Sequence, residues 1–348
     1  MSKISQLGFL IDPFNPVQSG HLLTSLRALD TERLDRVLWI PADGLIDDPH
    51  DEAGMEDRWM MLVAVCSRDD RLIPFRPKAS RNGSITPGDL FSSIRSSFPA
   101  DDYFCVAGPA AASVLRRMHD CKKLLRGCTF LIDRHVTLGS SQALSFELGR
   151  IVAAGGACRE ISGVSAAKGD PEACSFLPSD PSGAGLSIPV REFCACKGLY
   201  GQSAKDDRFA PWIDRLFTAL KPRRFAHSLS VAYTAKKLAG IHGLDALKAE
   251  QAGLLHDCSK CLPLSDMQRI ARTYRLTDDP SVLESGALLH SVTGAYLAES
   301  EYDMTDPDVL EAIRYHNTGN PGMSRLAICV CLADSIEPLR ESYPQLEQ

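Results

Sequence analysis

Short apolar runs alternate with longer amphipathic stretches over roughly the first two hundred residues of the chain. Leu7–Ile11, Val37–Ile40, Tyr103–Val106 and Phe130–Ile132 are apolar runs of strand length. Between them lie Leu22–Leu29, Arg58–Val65 and Ala110–Met118, which are amphipathic and longer. Strands alternating with helices predict a parallel sheet with crossover helices, that is, an α/β domain. Residues 154–188 are rich in Gly, Ala, Ser and Pro and read as irregular. After Trp212–Leu220 and the break at Lys221-Pro222 the strand signals stop. His227, Val231, Ala235 and Leu238, then Ala249, Gly253, His256 and Lys260, recur at intervals of three and four, each set on one helical face. The boundary is therefore placed near 205, with an α/β domain over 1–205 and an all-α domain over 206–348.

Length and composition fit that division. A chain of 348 residues suits two domains of ordinary size, and 44% hydrophobic with 24% charged residues is the profile of a globular protein. The net charge of −6, without a Lys/Arg run, argues against nucleic acid as a partner, because such binding rests on neutralising phosphates. It leaves room for a small anionic substrate in a locally positive pocket. Leu7–Ile11 is too short for a signal-peptide core, and no apolar run reaches membrane-spanning length. The expectation is a cytoplasmic protein with no membrane partner. Twelve cysteines are scattered without export signals, which reads as reduced thiols. Cys258 and Cys261 have Cys-x-x-Cys spacing but no second pair at zinc-finger distance.

The chemistry concentrates in the helical part. Of nine histidines, five lie beyond residue 223, and four of these (His227, His256, His290 and His316) face apolar neighbours. Asp257 and Asp334 share that setting. One such imidazole is ordinarily a core histidine; six ionisable groups together are not so explained. Burying an uncompensated carboxylate costs several kcal/mol. No Arg or Lys pattern supplies partners for all of them, whereas a pair of divalent cations would.

The order of these residues also resembles a known pattern. It runs through Arg223-Arg-Phe-Ala-His227, Leu254-Leu-His-Asp-Cys-Ser-Lys260, Ala287-Leu-Leu-His290, Ile313-Arg-Tyr-His-Asn-Thr-Gly319 and Leu332-Ala-Asp-Ser-Ile-Glu-Pro338. This resembles the HD superfamily, and within it the bacterial hydrolases that cleave diadenosine tetraphosphate symmetrically, over about 223–341. The resemblance implies a dinuclear site. One metal would take His227, His256, Asp257 and Asp334; the other would take His290, His316 and a second oxygen of Asp257. Such ligation suits iron, manganese or zinc better than magnesium or calcium, and iron is what the resemblance implies. A bridging hydroxide would attack phosphorus, with Asp257 and Lys260 as catalytic residues. Lys260, read as one helical turn beyond His256, would reach a phosphate oxygen, and Thr318 and the Gly319 amide could hold another. Arg224, Arg314 and Arg340 are further candidate phosphate contacts. The substrate implied is a dinucleoside polyphosphate, giving two ADP, and a homodimer is compatible with the pattern. An HD hydrolase for another nucleotide and a nucleotide-sensing regulator are the alternatives.

The front half carries a second resemblance. Phe14-Asn-Pro-Val-Gln-Ser-Gly-His21 is similar to the first signature of nicotinate-nucleotide adenylyltransferases, with Asn15, Gln18, Gly20 and His21 at its nucleotide-contacting positions. Trp39-Ile-Pro41, Asp48-Pro-His50, Arg58 and Val190 through Tyr200 add weaker echoes. The resemblance implies a Rossmann-like nucleotidyltransferase fold. The first signature histidine is, however, Gln18 here, and Asp12-Pro13 stands where paired glycines precede Phe14. Gly108-Pro-Ala110 and Ile161 through Lys168 depart from the later motifs. Gln cannot carry charge as imidazolium does. The site is therefore expected to be degenerate, residual adenylyl transfer being the alternative.

Overall fold

A computed structural model describes residues 4–41, 53–77, 86–107, 122–133, 149, 152, 153, 155–161, 185–204 and 206–340. The chain forms two compact units, Met1–Ser187 and Ile188–Gln348. Residues 188–204, assigned above to the front domain, group with the helical unit.

The first unit is built on β1 (Ile4–Asp12), α1 (Ser19–Thr31), β2 (Arg36–Pro41), α2 (Met55–Cys66), β3 (Leu72–Pro74), α3 (Pro87–Ser97), β4 (Ala100–Ala107), α4 (Lys122–Gly127), β5 (Thr129–Ile132) and β6 (Ala157–Glu160). All six strands are parallel, in the order β3-β2-β1-β4-β5-β6. This is the Rossmann-like architecture expected, and the four apolar runs fall on β1, β2, β4 and β5. Leu7, Phe9, Leu38, Ile40 and Phe130 are buried because a parallel sheet covered by helices hides both faces. β6 lies in the stretch expected to be irregular, and residues 110–118 lie outside the described residues. Strand order reverses at β1, whose carboxyl end leads through Asp12–Gln18 into α1. That crevice is where open α/β sheets bind ligands.

The second unit is all-helical: α5 (Ile188–Lys197), α6 (Phe209–Ala219), α7 (Pro222–Ile241), α8 (Ala246–Leu255), α9 (Leu264–Thr273), α10 (Pro280–Leu283), α11 (Gly286–Tyr302), α12 (Pro307–Tyr315) and α13 (Arg325–Ile336). Local chemistry starts several of them. The Asp245 carboxylate accepts from the Leu247 and Lys248 amides, Asp306 does the same for Asp308 and Val309, and the Ser324 hydroxyl accepts from Ala327. Pro222 and Pro307 occupy first-turn positions, where the missing N–H costs nothing. α7 packs on α8 and α13, while α12 packs on α8, α11 and α13. No helix among the described residues is long and apolar enough to cross a membrane.

A buried ion cluster joins α5, α7 and α8. Lys236 Nζ donates to Glu192 Oε2 at 2.6 Å and to Glu250 Oε1 at 2.7 Å. One ammonium cannot neutralise two buried carboxylates. Burial, offset in part by Lys236 and reinforced by the Glu250 carboxylate, pushes the Glu192 carboxyl up to about 8. An acid raised in the folded state stabilises fully below its unfolded pKa near 4.5, and that contribution is lost as pH rises through about 8. Glu192→Gln removes this proton dependence. In urea melts, the stability of the variant relative to the parent is expected to rise by roughly 1–3 kcal/mol between pH 5 and 8.5; a pH-independent difference would refute the assignment.

Candidate metal centre

The six predicted ligands are delivered by helix starts, helix ends and the turn that follows one of them. His227 sits in the first turns of α7 and His290 near the start of α11, both with their side chains turned inward and buried. His256 and His316 stand just past the last residues of α8 and α12. In both, ring Nδ1 lies 2.7 Å from the carbonyl three residues back, Gly253 O and Ile313 O. A carbonyl only accepts, so the proton is on Nδ1 and the Nε2 lone pair points into the unit. Asp257 follows His256 directly, and Asp334 lies in the last turn of α13.

The six converge. His227 Nε2 lies 3.2 Å from His256 Nε2 and 3.0 Å from Asp334 Oδ1. His290 Nε2 lies 3.1 Å from His316 Nε2 and 3.1 Å from Asp257 Oδ1. The other oxygen of the same carboxylate, Oδ2, faces the first pair, 3.3 Å from His256 Nε2 and 3.8 Å from His227 Nε2. His227, His256 and Asp257 form one group able to hold an ion, and Asp257, His290 and His316 another; a third combines His256, His316 and Asp334. The donor set fits a divalent cation. Imidazole lone pairs turned toward one another repel unless a cation lies between them, and His290 Nδ1 is buried without a hydrogen-bond partner among the described residues.

Electrostatics follow from this crowding. Burial pushes the Asp257 carboxyl up, but His256, His290 and Arg224 outweigh it and hold the group well below the usual carboxylate range. Asp334 is held low in the same way, burial being overcome by His227, His256 and Arg340. Burial and the neighbouring His256 drive His316 down to about 3, so its imidazole is neutral at physiological pH and its lone pair is available. Burial also opposes charge on His227, yet the Asp334 and Glu337 carboxylates, as hydrogen-bond acceptors beside the ring, leave its pKa raised.

The remaining predicted residues separate into two groups. Arg224 Nη1 donates to Asp257 Oδ2 at 2.6 Å and Arg340 Nη2 to Asp334 Oδ1 at 2.9 Å, both guanidinia reaching solvent at the rim of the cage. Lys260 is half-buried, and its amine is pulled down by burial while Asp257, Arg224, Asp334 and Arg340 all act on it. It does not reach the cage by helical periodicity, because α8 stops at Leu255 and residues 256–260 form tight turns closed by Cys258 N–H to Leu255 O and Lys260 N–H to Asp257 O. Arg314 and Gly319 are engaged elsewhere: Arg314 Nη2 donates to Leu276 O at 2.5 Å, and the Gly319 amide closes α12 by donating to Tyr315 O at 3.0 Å with φ at +66°. Thr318 is exposed beside it.

Sequence reasoning missed three supports. Ser259 Oγ donates to His290 O at 2.7 Å and so ties the turn carrying Asp257 to α11. Gly253 lies where α8 crosses α7; a Cβ there would fall 2.8 Å from Ala232 Cα and 3.0 Å from Val231 O. The only signal for it was a glycine on a helix face that also carries a ligand. Glu337, next to the Asp334 motif, contacts His227.

The front signature folds differently from an open phosphate site. His21 is buried; its Nδ1 accepts from the Gln18 amide at 2.9 Å, and its Nε2 lies 3.1 Å from Asp12 Oδ1. Asp12 also accepts from the Phe14 amide at 3.1 Å. Phe14 stacks on Trp39 with centroids 5.3 Å apart, closing the hydrophobic side of the ring. Gly20 is buried at the start of α1, and Asn15 and Gln18 are partly exposed in the preceding loop. Asp48–His50, Gly108–Ala110 and 162–168 lie outside the described residues.

Comparison with known proteins places these features. The HD domain family matches residues 224–339. Over 129 residues the chain is 39% identical to the symmetrical bis(5'-nucleosyl)-tetraphosphatase of Halalkalibacterium halodurans, covering 37% of this chain and 68% of that protein. The enzyme of the same name from Staphylococcus aureus is 43% identical over 122 residues, 35% of this chain and 62% of that one. The chain thus spans about two thirds of the length of these relatives. A Mycoplasma genitalium protein named probable nicotinate-nucleotide adenylyltransferase/Ap4A hydrolase is 26% identical over 331 residues, 94% of this chain and 86% of the relative.

Because the α7–α8 crossing sets the separation of His227 and His256, Gly253→Ala is expected to cost about 1–3 kcal/mol through overpacking. It should also weaken manganese binding measured by calorimetry, whereas equal loss of stability with unchanged metal affinity would show that the crossing does not set the ligand geometry.

Proposed function

The chain belongs, through its helical unit, to the HD-domain symmetrical bis(5'-nucleosyl)-tetraphosphatases, and from that premise we propose that it hydrolyses diadenosine tetraphosphate to two ADP at the His/Asp cage. The observation that carries this reading is the Asp257 carboxylate, with one oxygen turned to His227 and His256 and the other to His290 and His316. That division supports two metals sharing one carboxylate, with Asp334 completing the first site and iron or manganese as occupants. When bound, such a pair supplies a hydroxide at neutral pH and Lewis-acid polarisation of a phosphoryl oxygen.

The protein's own residues do the rest. Asp257 stays ionised because its neighbours hold its pKa low, so it keeps both oxygens available as ligands. His316 stays neutral for the same purpose. Arg224, Lys260 and Arg340 gather positive charge on the mouth of the cage, where the polyphosphate chain must lie if one phosphorus is to reach the centre. Arg224 engages Asp257 through Nη1, and a guanidinium has five N–H donors, leaving others for phosphate oxygens. Lys260, its charged form disfavoured by burial, gains from an arriving anion. Arg314 and Gly319, engaged with backbone groups, are assigned to holding α12 and His316 in place.

The front unit is assigned no adenylyl transfer. Its remaining signature histidine is buried, with Nδ1 taken by the Gln18 amide and Nε2 facing the Asp12 carboxylate at 3.1 Å, so an incoming phosphate would meet a fixed negative charge at that ring.

Incubated with diadenosine tetraphosphate and iron or manganese, the purified chain should release ADP as the sole nucleotide; ATP with AMP would refute the symmetrical cut. Asp257→Ala should lower turnover by at least about 100-fold, beyond the 10–100-fold typical of residues behind a ligand, and should lose metal by elemental analysis. Supplied with nicotinate mononucleotide, ATP and magnesium, the chain should form no dinucleotide, and its appearance at enzymatic rates would overturn the assignment of the front site.

A further inference from the structure

Three of the four cage histidines have their outward nitrogen fixed, but not by the same kind of group. His256 and His316 use main-chain carbonyls of their own helices. His227 instead has Nδ1 2.9 Å from Glu337 Oε1, a carboxylate 110 residues further along the chain. Glu337 is 2% exposed. Its second oxygen, Oε2, accepts from the Leu339 amide at 2.7 Å. Among the described residues this carboxylate meets no Lys or Arg; the imidazole and one backbone N–H are its whole compensation.

A buried carboxylate with so little around it costs several kcal/mol unless its partner carries positive character. An imidazole gains that character when a cation sits on its other nitrogen, which is the direction in which His227 Nε2 points, toward His256 and Asp334. A carboxylate behind a ligating histidine fixes the ring, selects the Nδ1–H form and makes Nε2 a stronger donor. The same α13 end supplies Asp334 to the inner side of the ring, so one short segment grips His227 from both nitrogens.

We propose that Glu337 is a positioning residue for one of the two metals, the one held by His227, His256 and Asp334, and that it acts through its negative charge on His227. This rests on the dinuclear reading given above and adds to it a difference between the two sites: the His290/His316 site has no carboxylate behind its rings, since His316 leans on Ile313 O and His290 Nδ1 has no partner among the described residues. The His227 site is therefore the one whose affinity depends on a distant charge.

The test uses the full chain loaded with manganese, with metal content and rate of loss to a chelator measured for the parent, Glu337→Gln and Glu337→Asp. The parent should retain two ions. In Glu337→Gln, which keeps the shape and removes the charge, one ion should be held about 10–100-fold more weakly while the other is unchanged. Excess manganese should return its turnover, and the metal-free form should melt within a few degrees of the parent. Glu337→Asp, shorter but charged, should recover part of the affinity. Two ions retained by Glu337→Gln with parental affinity, or both weakened together alongside a lowered metal-free melting temperature, would make Glu337 a structural tie and overturn the proposal. A parent chain that binds no manganese would instead remove the dinuclear reading itself, and this inference with it.

Discussion

The helical unit is organised around one buried carboxylate. Asp257 is almost wholly withdrawn from water, and placing such a group there is unfavourable unless positive charge surrounds it. Its two oxygens face two separate imidazole pairs. Everything nearby serves to hold that arrangement. α8 presents Asp257 at its end, Ser259 ties the turn to α11, and Gly253 lets α8 approach α7 closely enough for His256 to meet His227. The rim arginines complete the compensation, and they do so from solvent-facing positions where a polyphosphate can share them.

A cage made this way is a poor hydrophobic core. Replacing buried ionic groups by packed apolar side chains is often neutral or stabilising, so six ionisable groups in the middle of a small helical unit are a cost that stability alone does not explain. Stability is met elsewhere, by the packing of Phe209, Trp212, Ile213, Phe225 and Leu229 and by capped helix starts. The separation of these roles is visible in the helices themselves. α7 contributes His227 from its first turns and apolar contacts from the rest of its length.

How much of this was legible depended on whether the determinant was local. β1, β2, β4 and β5 showed as apolar runs because strands buried on both faces must be apolar throughout. β3 has only three residues, and Ala157–Glu160 is a largely exposed edge strand; neither leaves such a run. The six cage residues were legible because His and Asp at apolar helical positions stand out in the sequence whatever packs around them. Their supports were not. Gly253 matters only because another helix crosses there, and Glu337 only because His227, far away in sequence, needs a partner. Lys260 shows the opposite error: its spacing from His256 suggested a helical face, but the helix ends at Leu255 and tight turns carry it onward. The two routes bring it to the same neighbourhood for different reasons.

In the front unit the fold and the chemistry at its switch point have separate determinants. The strand order, the switch point at β1 and the helix start that follows it are set by apolar patterning and sheet twist, which Asp12 and Gln18 do not disturb. The chemistry at that point depends on a ring nitrogen being free to meet an anion. Asp12 sets a carboxylate of the protein's own 3.1 Å from His21 Nε2, while the Gln18 amide occupies the other nitrogen. The helix start keeps its electrostatic preference for negative charge, but the charge it meets is internal. A carboxylate fixed by the main chain at the end of β1 needs no entropy to arrive, so a phosphate competing for the same ring must supply more than its charge. The sheet therefore keeps its strand order and switch point whatever stands beside that ring.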